Sequence, residues 1–409
     1  MSQEIIQGQT LLSLLPAELR DSVRKDQDLE DAQEYCGLRL RLEDGVVQEL
    51  EPVALDPAIS GGLILPRLFN AHTHLGDSFI ASRVPREKLP RDIMELVAPP
   101  DGLKHRLLRE ADEDQLASGI GNSLFTAHEQ GVMGLMDFRE NSLQGLEMFV
   151  SGYFKFTQKS FQAPARARPI RPVVLGRPNM EKVDPVELDR HLRRSAGLNF
   201  SSITDVGMEK ARAFKEAVDV FNSAHTPVPG EPNKLLAFHA SERVREDVDD
   251  IISLEPDFLV HCSVASSKDL SRLAEASVPV VVCPSSNAFF GVPLDIMRML
   301  EHGISLGLGT DNGMLHSPSS LEELRFVLDN FNITHSQALD MALLFRELFL
   351  EPGGLRQNVA ETRAERLARL RADRAAKGWL HLGAGSLMVV EGVSNLDGFQ
   401  AGEHQIRLL

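Results

Sequence analysis

An α/β protein is the fold class the sequence predicts: a (β/α)8 TIM barrel with a small β domain assembled from N- and C-terminal segments. Two observations carry this. Eight apolar strand candidates alternate with helical patterns through the middle of the chain. Shorter alternating strand patterns stand at both ends. The 409 residues suit one large domain with a smaller companion.

Along the chain, residues 1 to about 30 read as an amphipathic helical arm. The arm has an early Glu4 and no basic stretch or small-residue cleavage site, so a signal peptide is not expected. Cys36 to Pro52 alternates apolar and polar residues around Asp44-Gly45, a hairpin signal. The strand–helix rhythm then starts strands at Gly62, Gly131, Pro169, Gly197, Lys234, Asp257, Val278 and Ile304. Two more strand patterns follow, from Ser386 to Val393 and from His404 to Leu409. The expected division is residues 1–61 and 376–409 for the β domain and 62–375 for the barrel. A doubly wound open sheet is the alternative; it usually has fewer strands and binds ligand at one crevice. Between the first two barrel strands, Leu75 to about Glu110 is rich in charge and proline. Such an excursion at a barrel mouth is a lid, a substrate-binding element or a surface decoration.

Composition narrows the function. Lys and Arg total 43 against 59 Asp and Glu, a formal charge of −16. A net-acidic surface repels phosphate backbones and anionic lipid, so neither nucleic acid nor membrane is an expected partner. The sequence has no apolar run of roughly 18 residues, the length that spans a bilayer. The three cysteines, Cys36, Cys262 and Cys283, form no CxxC pair. Neither a disulfide framework nor a zinc ribbon is readable, and a cytoplasmic setting fits.

Chemistry collects at the ends of strand candidates. The first ends in His72-Thr73-His74, and alternation puts residues i and i+2 on one face. The fifth ends at His239 with Glu242 three residues on, the sixth at His261 and the eighth at Asp311. In a barrel these ends converge on one mouth. Three neutral imidazoles and a carboxylate suit a divalent ion such as zinc or iron with a position left open. Each residue also has a plainer reading: Glu242 as a solvated loop acid, His261 as a core imidazole, Asp311 as a helix cap. A single metal site accounts for all of them together.

The segments NAHTHLGD (Asn70–Asp77), FHASE (Phe238–Glu242), VHCS (Val260–Ser263), CPSSNAFFG (Cys283–Gly291) and GLGTDN (Gly307–Asn312) occur in this order. Together they resemble the amidohydrolase superfamily, and within it the cytosine deaminase and triazine and guanine aminohydrolase branch. The resemblance covers roughly Gly62 to Asn330. It implies that His72, His74, His239 and Asp311 hold one divalent metal ion. It further implies that Glu242 shuttles protons and that His261 polarises the leaving side or holds the attacking water, with Asp311 orienting that water. Binuclear members of the superfamily use a carboxylated lysine at the end of the fourth strand. GLNFSSITDVG (Gly197–Gly207) contains no lysine. One ion is therefore expected, zinc first and iron as the alternative.

The remaining candidates concern substrate. Arg139 and Arg177 end adjacent strands and could clamp a carboxylate or phosphate; an internal pair of Arg139 with Asp137 or Glu140 is the competing reading. Asn287 is a candidate for a heterocycle edge, and His316, just past Asp311, for the pocket wall. The expected function is metal-dependent hydrolysis of a non-peptide C–N bond, releasing ammonia from an amidine-like carbon of a small, acidic or neutral heterocycle. A cyclic amide hydrolase of the imidazolonepropionase type is the alternative, and a non-catalytic scaffold is the reading from another class. Homo-oligomerisation is left open.

Overall fold

The computed structural model describes residues 3–26, 34–53, 61–97, 101–162, 169–224, 233–350, 362–381, 386–400 and 404–409. In chain order its strands are β1 (Gln3–Leu11), β2 (Tyr35–Glu43), β3 (Val46–Val53), β4 (Leu63–Pro66) and β5 (Leu68–His74). Next come β6 (Val132–Arg139), β7 (Arg171–Gly176), β8 (Gly197–Phe200), β9 (Leu235–Ala240) and β10 (Phe258–His261). The last are β11 (Val280–Val282), β12 (Leu306–Leu308), β13 (Asp311–Asn312), β14 (Leu387–Val390) and β15 (Ile406–Leu408).

Two sheets result. A six-stranded mixed sheet runs β15-β14-β4-β1-β2-β3, and so draws on both ends of the chain. The expected hairpin is β2–β3, turning through Asp44 and Gly45, both at positive φ. Such a turn matches the twist of the paired strands. The N-terminal arm departs from expectation. Gln3–Leu11 is a strand, antiparallel to β2 over its whole length; helix starts only at Ala17. Ile6, Gly8 and Thr10 are buried while Gln7 and Gln9 are not, so a period of two underlies this segment, and pairing with β2 decides the outcome. Residues 27–30 of the expected arm lie outside the described residues. The segment read as one strand from Gly62 is two: β4 joins the mixed sheet and β5 the parallel one. The break falls after Pro66, which has no N–H to donate.

The second sheet is nine-stranded and parallel, in the order β12-β11-β10-β9-β8-β7-β6-β5-β13. Gly309 N donates to Val282 O, and Thr310 N donates to His72 O, each at 3.0 Å. The short run 306–312 therefore bonds to β11 at one end and to β5 at the other. Residues alternate across each strand. Leu235 and Ala237 of β9 pack with Phe138, Val173, Val260 and Phe345. Leu236 and Phe238 face the opposite way, toward Phe200, Phe214 and Ile251. The helix His335–Phe349 seals the first of these cores with Phe345 against Phe258, ring centroids 5.2 Å apart. It is admitted by Gly307, where a Cβ would lie 2.4 Å from the Phe345 ring. Phe345→Ala should cost about 3–5 kcal/mol through the cavity it leaves, read as a lower denaturant midpoint at an unchanged slope. No helix among the described residues is long and apolar enough to cross a membrane.

Candidate metal centre and catalytic pocket

His72 and His74 lie at the end of β5, and their arrival on the concave side is not a matter of simple alternation. Phe69 and Ala71 already belong to the enclosed core. Strict alternation would send His72 to the other face. The β5–β6 register shifts between Asn70 and Thr73, and the His72 ring lies against Phe138, centroids 4.5 Å apart. A comparable device operates at His261, which has φ +75°, with Cys262 at +53°. Non-glycine residues pay for this conformation, and it turns His261 toward the other imidazoles. Its ring centroid is 5.3 Å from that of His239.

The donors converge. His74 Nε2 lies 3.4 Å from His239 Nε2. Asp311 Oδ1 lies 3.5 Å from both His72 Nε2 and His74 Nε2. His72, His74 and Asp311 form one group with metal-ligand spacing, and His72, His239 and His261 another. The residues fit a divalent cation on chemical grounds. His74 Nδ1 faces Phe138 O at 3.1 Å and His239 Nδ1 faces Phe200 O at 3.2 Å. Those protons on Nδ1 leave the two Nε2 lone pairs facing each other, an arrangement that a cation between them satisfies. Both ring nitrogens of buried His72, and Nδ1 of His261, have no hydrogen-bond partner. Burial pulls His72 down to about 3, which keeps it neutral. Burial also opposes charge on Asp311, but the neighbouring imidazoles outweigh it and hold its carboxyl well below the usual range. Neutral imidazoles and an ionised carboxylate are the forms that bind metal.

The cavity beside these donors measures about 280 Å³ and is lined in part by His74, Lys104, Arg177, Glu242, His261 and Asp311. Glu242 Oε1 stands 3.6 Å from His261 Nε2. Burial raises the Glu242 carboxyl, with His261 pulling the other way. A carboxyl of raised pKa beside an imidazole is suited to proton transfer. Ile93, Met94, Val97, Lys104 and His105 of the excursion also line the cavity, so that segment is part of the site and not a decoration.

Three substrate candidates, Arg139, His316 and Asn287, are not among the residues that line this cavity. Arg139 is 3 % exposed; Nη1 bonds Asp137 Oδ2 at 3.1 Å and Nη2 bonds Glu140 Oε2 at 2.6 Å. Its guanidinium is committed to an internal ion pair, in a seat that Gly76 leaves open, since a Cβ there would be 2.0 Å from Nη2. His316 lines a separate cleft with Arg86, Met314 and Pro318, and burial lowers it to about 4. Asn287 donates to Ser263 Oγ at 2.9 Å and does not line the cavity. Arg177 does line it; its Nε bonds the amide oxygen of Asn199 at 3.0 Å, and not a carboxylate.

Sequence reading missed the outer partners. Ser286 Oγ donates to Asp311 Oδ2 at 2.6 Å. Glu323 accepts from the Ser285 backbone N at 2.8 Å and from the Ser285 hydroxyl, fixing the turn that presents Ser286. Nor is Lys104 legible in the sequence as the partner of Asp77 and Glu140. A lysine in a proline-rich excursion carries no local sign of burial.

Known proteins bear on this geometry. The uncharacterized protein MJ0699 of Methanocaldococcus jannaschii is 31% identical over 296 residues, 69% of this chain and 72% of that protein. A 5-methylthioadenosine/S-adenosylhomocysteine deaminase of Halobacterium salinarum is 26% identical over 298 residues, 65% of this chain and 62% of its own. In fold, atrazine chlorohydrolase TrzN from Arthrobacter aurescens, solved in complex with zinc, superposes with a TM-score of 0.58 at 15% identity, covering 98% of this chain and 92% of that one. The amidohydrolase family pattern matches residues 63–342. That span starts in β4, just ahead of the strand bearing His72 and His74, and runs past Asp311. Because it takes in well over half the sequence and every one of the converging donors, this chain belongs to the amidohydrolase family.

Proposed function

We propose that this chain is a metal-dependent hydrolase that deaminates a small heterocycle, in the cytosine deaminase and triazine and guanine aminohydrolase branch, with its parallel sheet serving as a (β/α)8 barrel. The carrying observation is Glu242, a half-buried carboxyl of raised pKa beside His261, sharing one cavity with the His74, His239 and Asp311 donors, to which buried His72 adds a fourth. Bound by those four residues, a divalent ion such as zinc would lower the pKa of the attacking water to about 7. Glu242 takes a proton from that water and passes it to the leaving nitrogen, so that ammonia departs neutral. Ionised Asp311 accepts a hydrogen bond from the water and orients it. His261, 3.6 Å from Glu242, polarises the leaving side or holds the attacking water. The excursion covers the mouth and limits solvent access.

A cavity of about 280 Å³ supports a small molecule as the substrate. Arg177, which lines the cavity without a carboxylate on its Nε, supports recognition of an acidic substituent on it. Arg177→Met should raise KM for acidic amino-heterocycles by about 10- to 150-fold, roughly 1.5–3 kcal/mol for a hydrogen bond to a charged group. Neutral amino-heterocycles should change little. Equal effects on both classes would return Arg177 to a structural role with Asn199.

The reading as a whole is tested by an ammonia-release screen of the zinc-loaded protein against amino-heterocycles and cyclic amides. Stoichiometric ammonia from an amino-heterocycle is expected. Ring opening of cyclic amides with no ammonia from any amino-heterocycle would overturn the deaminase reading.

A further inference from the structure

Lys104 enters the site from outside the sheet. It belongs to the helix Leu103–Glu110 of the excursion, yet it is only 3 % exposed. Its ammonium carries three protons and meets three acceptors. These are Glu140 Oε1 at 2.6 Å, Asp77 Oδ2 at 2.9 Å and Asn312 Oδ1 at 3.0 Å. They come from three places: three residues past His74, one residue past β6, and the residue next to Asp311. One side chain thus ties together the ends of β5 and β6 and the strand β13, and two of these three carry proposed metal ligands.

The Glu140 contact is the informative one. The same oxygen, Oε1, lies 2.8 Å from His74 Nδ1, closer than Phe138 O, which shares that nitrogen at 3.1 Å. Glu140 Oε2 is held by Arg139, whose other arm holds Asp137. Asp137 Oδ1 in turn accepts from Leu75 N at 2.7 Å, directly after His74. Five charged groups are enclosed here, two cationic and three acidic. Burial raises Asp77. Burial also opposes charge on Glu140, but Lys104 and His74 outweigh it and hold that carboxyl well below its usual range. Lys104 stays an ammonium because Asp77 and Glu140 outweigh its desolvation. A buried ion pair serves poorly as a simple brace, since apolar residues of similar size would stabilise as well or better. A brace also has no need to share its acceptor atom with the ring nitrogen that orients a ligand.

We propose that Lys104 is a positioning residue: by fixing Glu140 Oε1 against His74 Nδ1, it makes the metal-binding geometry of His74 depend on the excursion being docked. This rests on the metal site proposed above. A carboxylate behind a ligating histidine sets its tautomer and ring orientation, and losing such a partner typically costs about 10–100-fold in metal affinity. Coupling is reciprocal: if docking favours the metal, the metal favours docking. The exposed Arg83, Arg86, Lys88 and Arg91 make the excursion a natural reporter, because trypsin cuts there when it lifts.

The experiment uses full-length protein stripped of metal and titrated with Zn2+ against a chromophoric chelator. Lys104→Met should weaken zinc binding by about 10–100-fold, and Lys104→Arg, which keeps the charge, should fall between it and wild type. The Co2+-substituted visible spectrum should change in Lys104→Met. Zn2+ should slow tryptic cleavage of the excursion in wild type and not in Lys104→Met. Glu140→Gln keeps the volume and removes the charge; it should cause a similar loss, and the double variant no further loss. If Lys104→Met does not fold, Glu140→Gln and Lys104→Arg carry the same readouts. Wild-type affinity and cobalt spectrum in these variants, with only lower thermal stability, would overturn the proposal and leave Lys104 a structural brace. Failure of the wild type itself to bind zinc would overturn the metal reading, and this inference with it.

Discussion

Glu242→Gln should retain its metal and lose turnover by on the order of 10²-fold or more, the scale at which a positioned acid–base group contributes. The amide keeps the shape of the side chain and its place near His261 Nε2, 3.6 Å away. It removes the one property the proposed reaction needs, a carboxyl that can take and return a proton. The geometry separates this role from ligation: neither group of residues with metal-ligand spacing includes Glu242. Metal content and kcat are therefore to be measured on the same preparation. A variant that loses its zinc would make Glu242 a ligand. One that keeps full activity would make it a bystander, with its raised pKa a consequence of burial alone.

About one divalent ion per chain is the second large expectation, and His239→Ala should abolish both tight binding and turnover. The loss should exceed the roughly 10–100-fold that removing an outer partner costs, because the ligand itself is gone. Elemental analysis after reconstitution in excess Zn2+ and desalting reads the stoichiometry directly. The proposal of four ligands and one ion rests on how the parallel strands end. His72 and His74 end β5, His239 lies in β9 and Asp311 opens β13. The strand β8, Gly197–Phe200, offers Asn199 where a binuclear site would use a lysine, and that asparagine bonds Arg177 Nε and Leu175 O. Two tightly held ions per chain would overturn the mononuclear assignment.

What the sequence determined by itself was local or repetitive. The Asp44-Gly45 turn could be read because positive φ is a property of a dipeptide. The strand–helix alternation could be read because burial follows a period. The candidate donors His72, His74, His239 and Asp311 could be picked out because each stands at or just beyond the end of an apolar run, where parallel strand ends meet. What the tertiary structure alone decided depended on partners distant in sequence. Spacing put His72 and His74 on one face, but the register shift against β6 decided which face. Gln3–Leu11 became a strand because β2 was there to pair with it, which outweighed its helical reading. Arg139 and Arg177 looked equivalent in sequence. The chain places two carboxylates on Arg139 and an amide on Arg177, so only Arg177 is left facing the cavity. Lys104 gave no sign at all: a charged residue in an excursion is ordinarily solvated, and only the convergence of Asp77, Glu140 and Asn312 offsets the cost of burying it. Dihedral preferences and hydrophobic period act over a few residues and are written in the sequence. The pairing of buried charges is a sum over distant neighbours, and the chain must fold before that sum has a value.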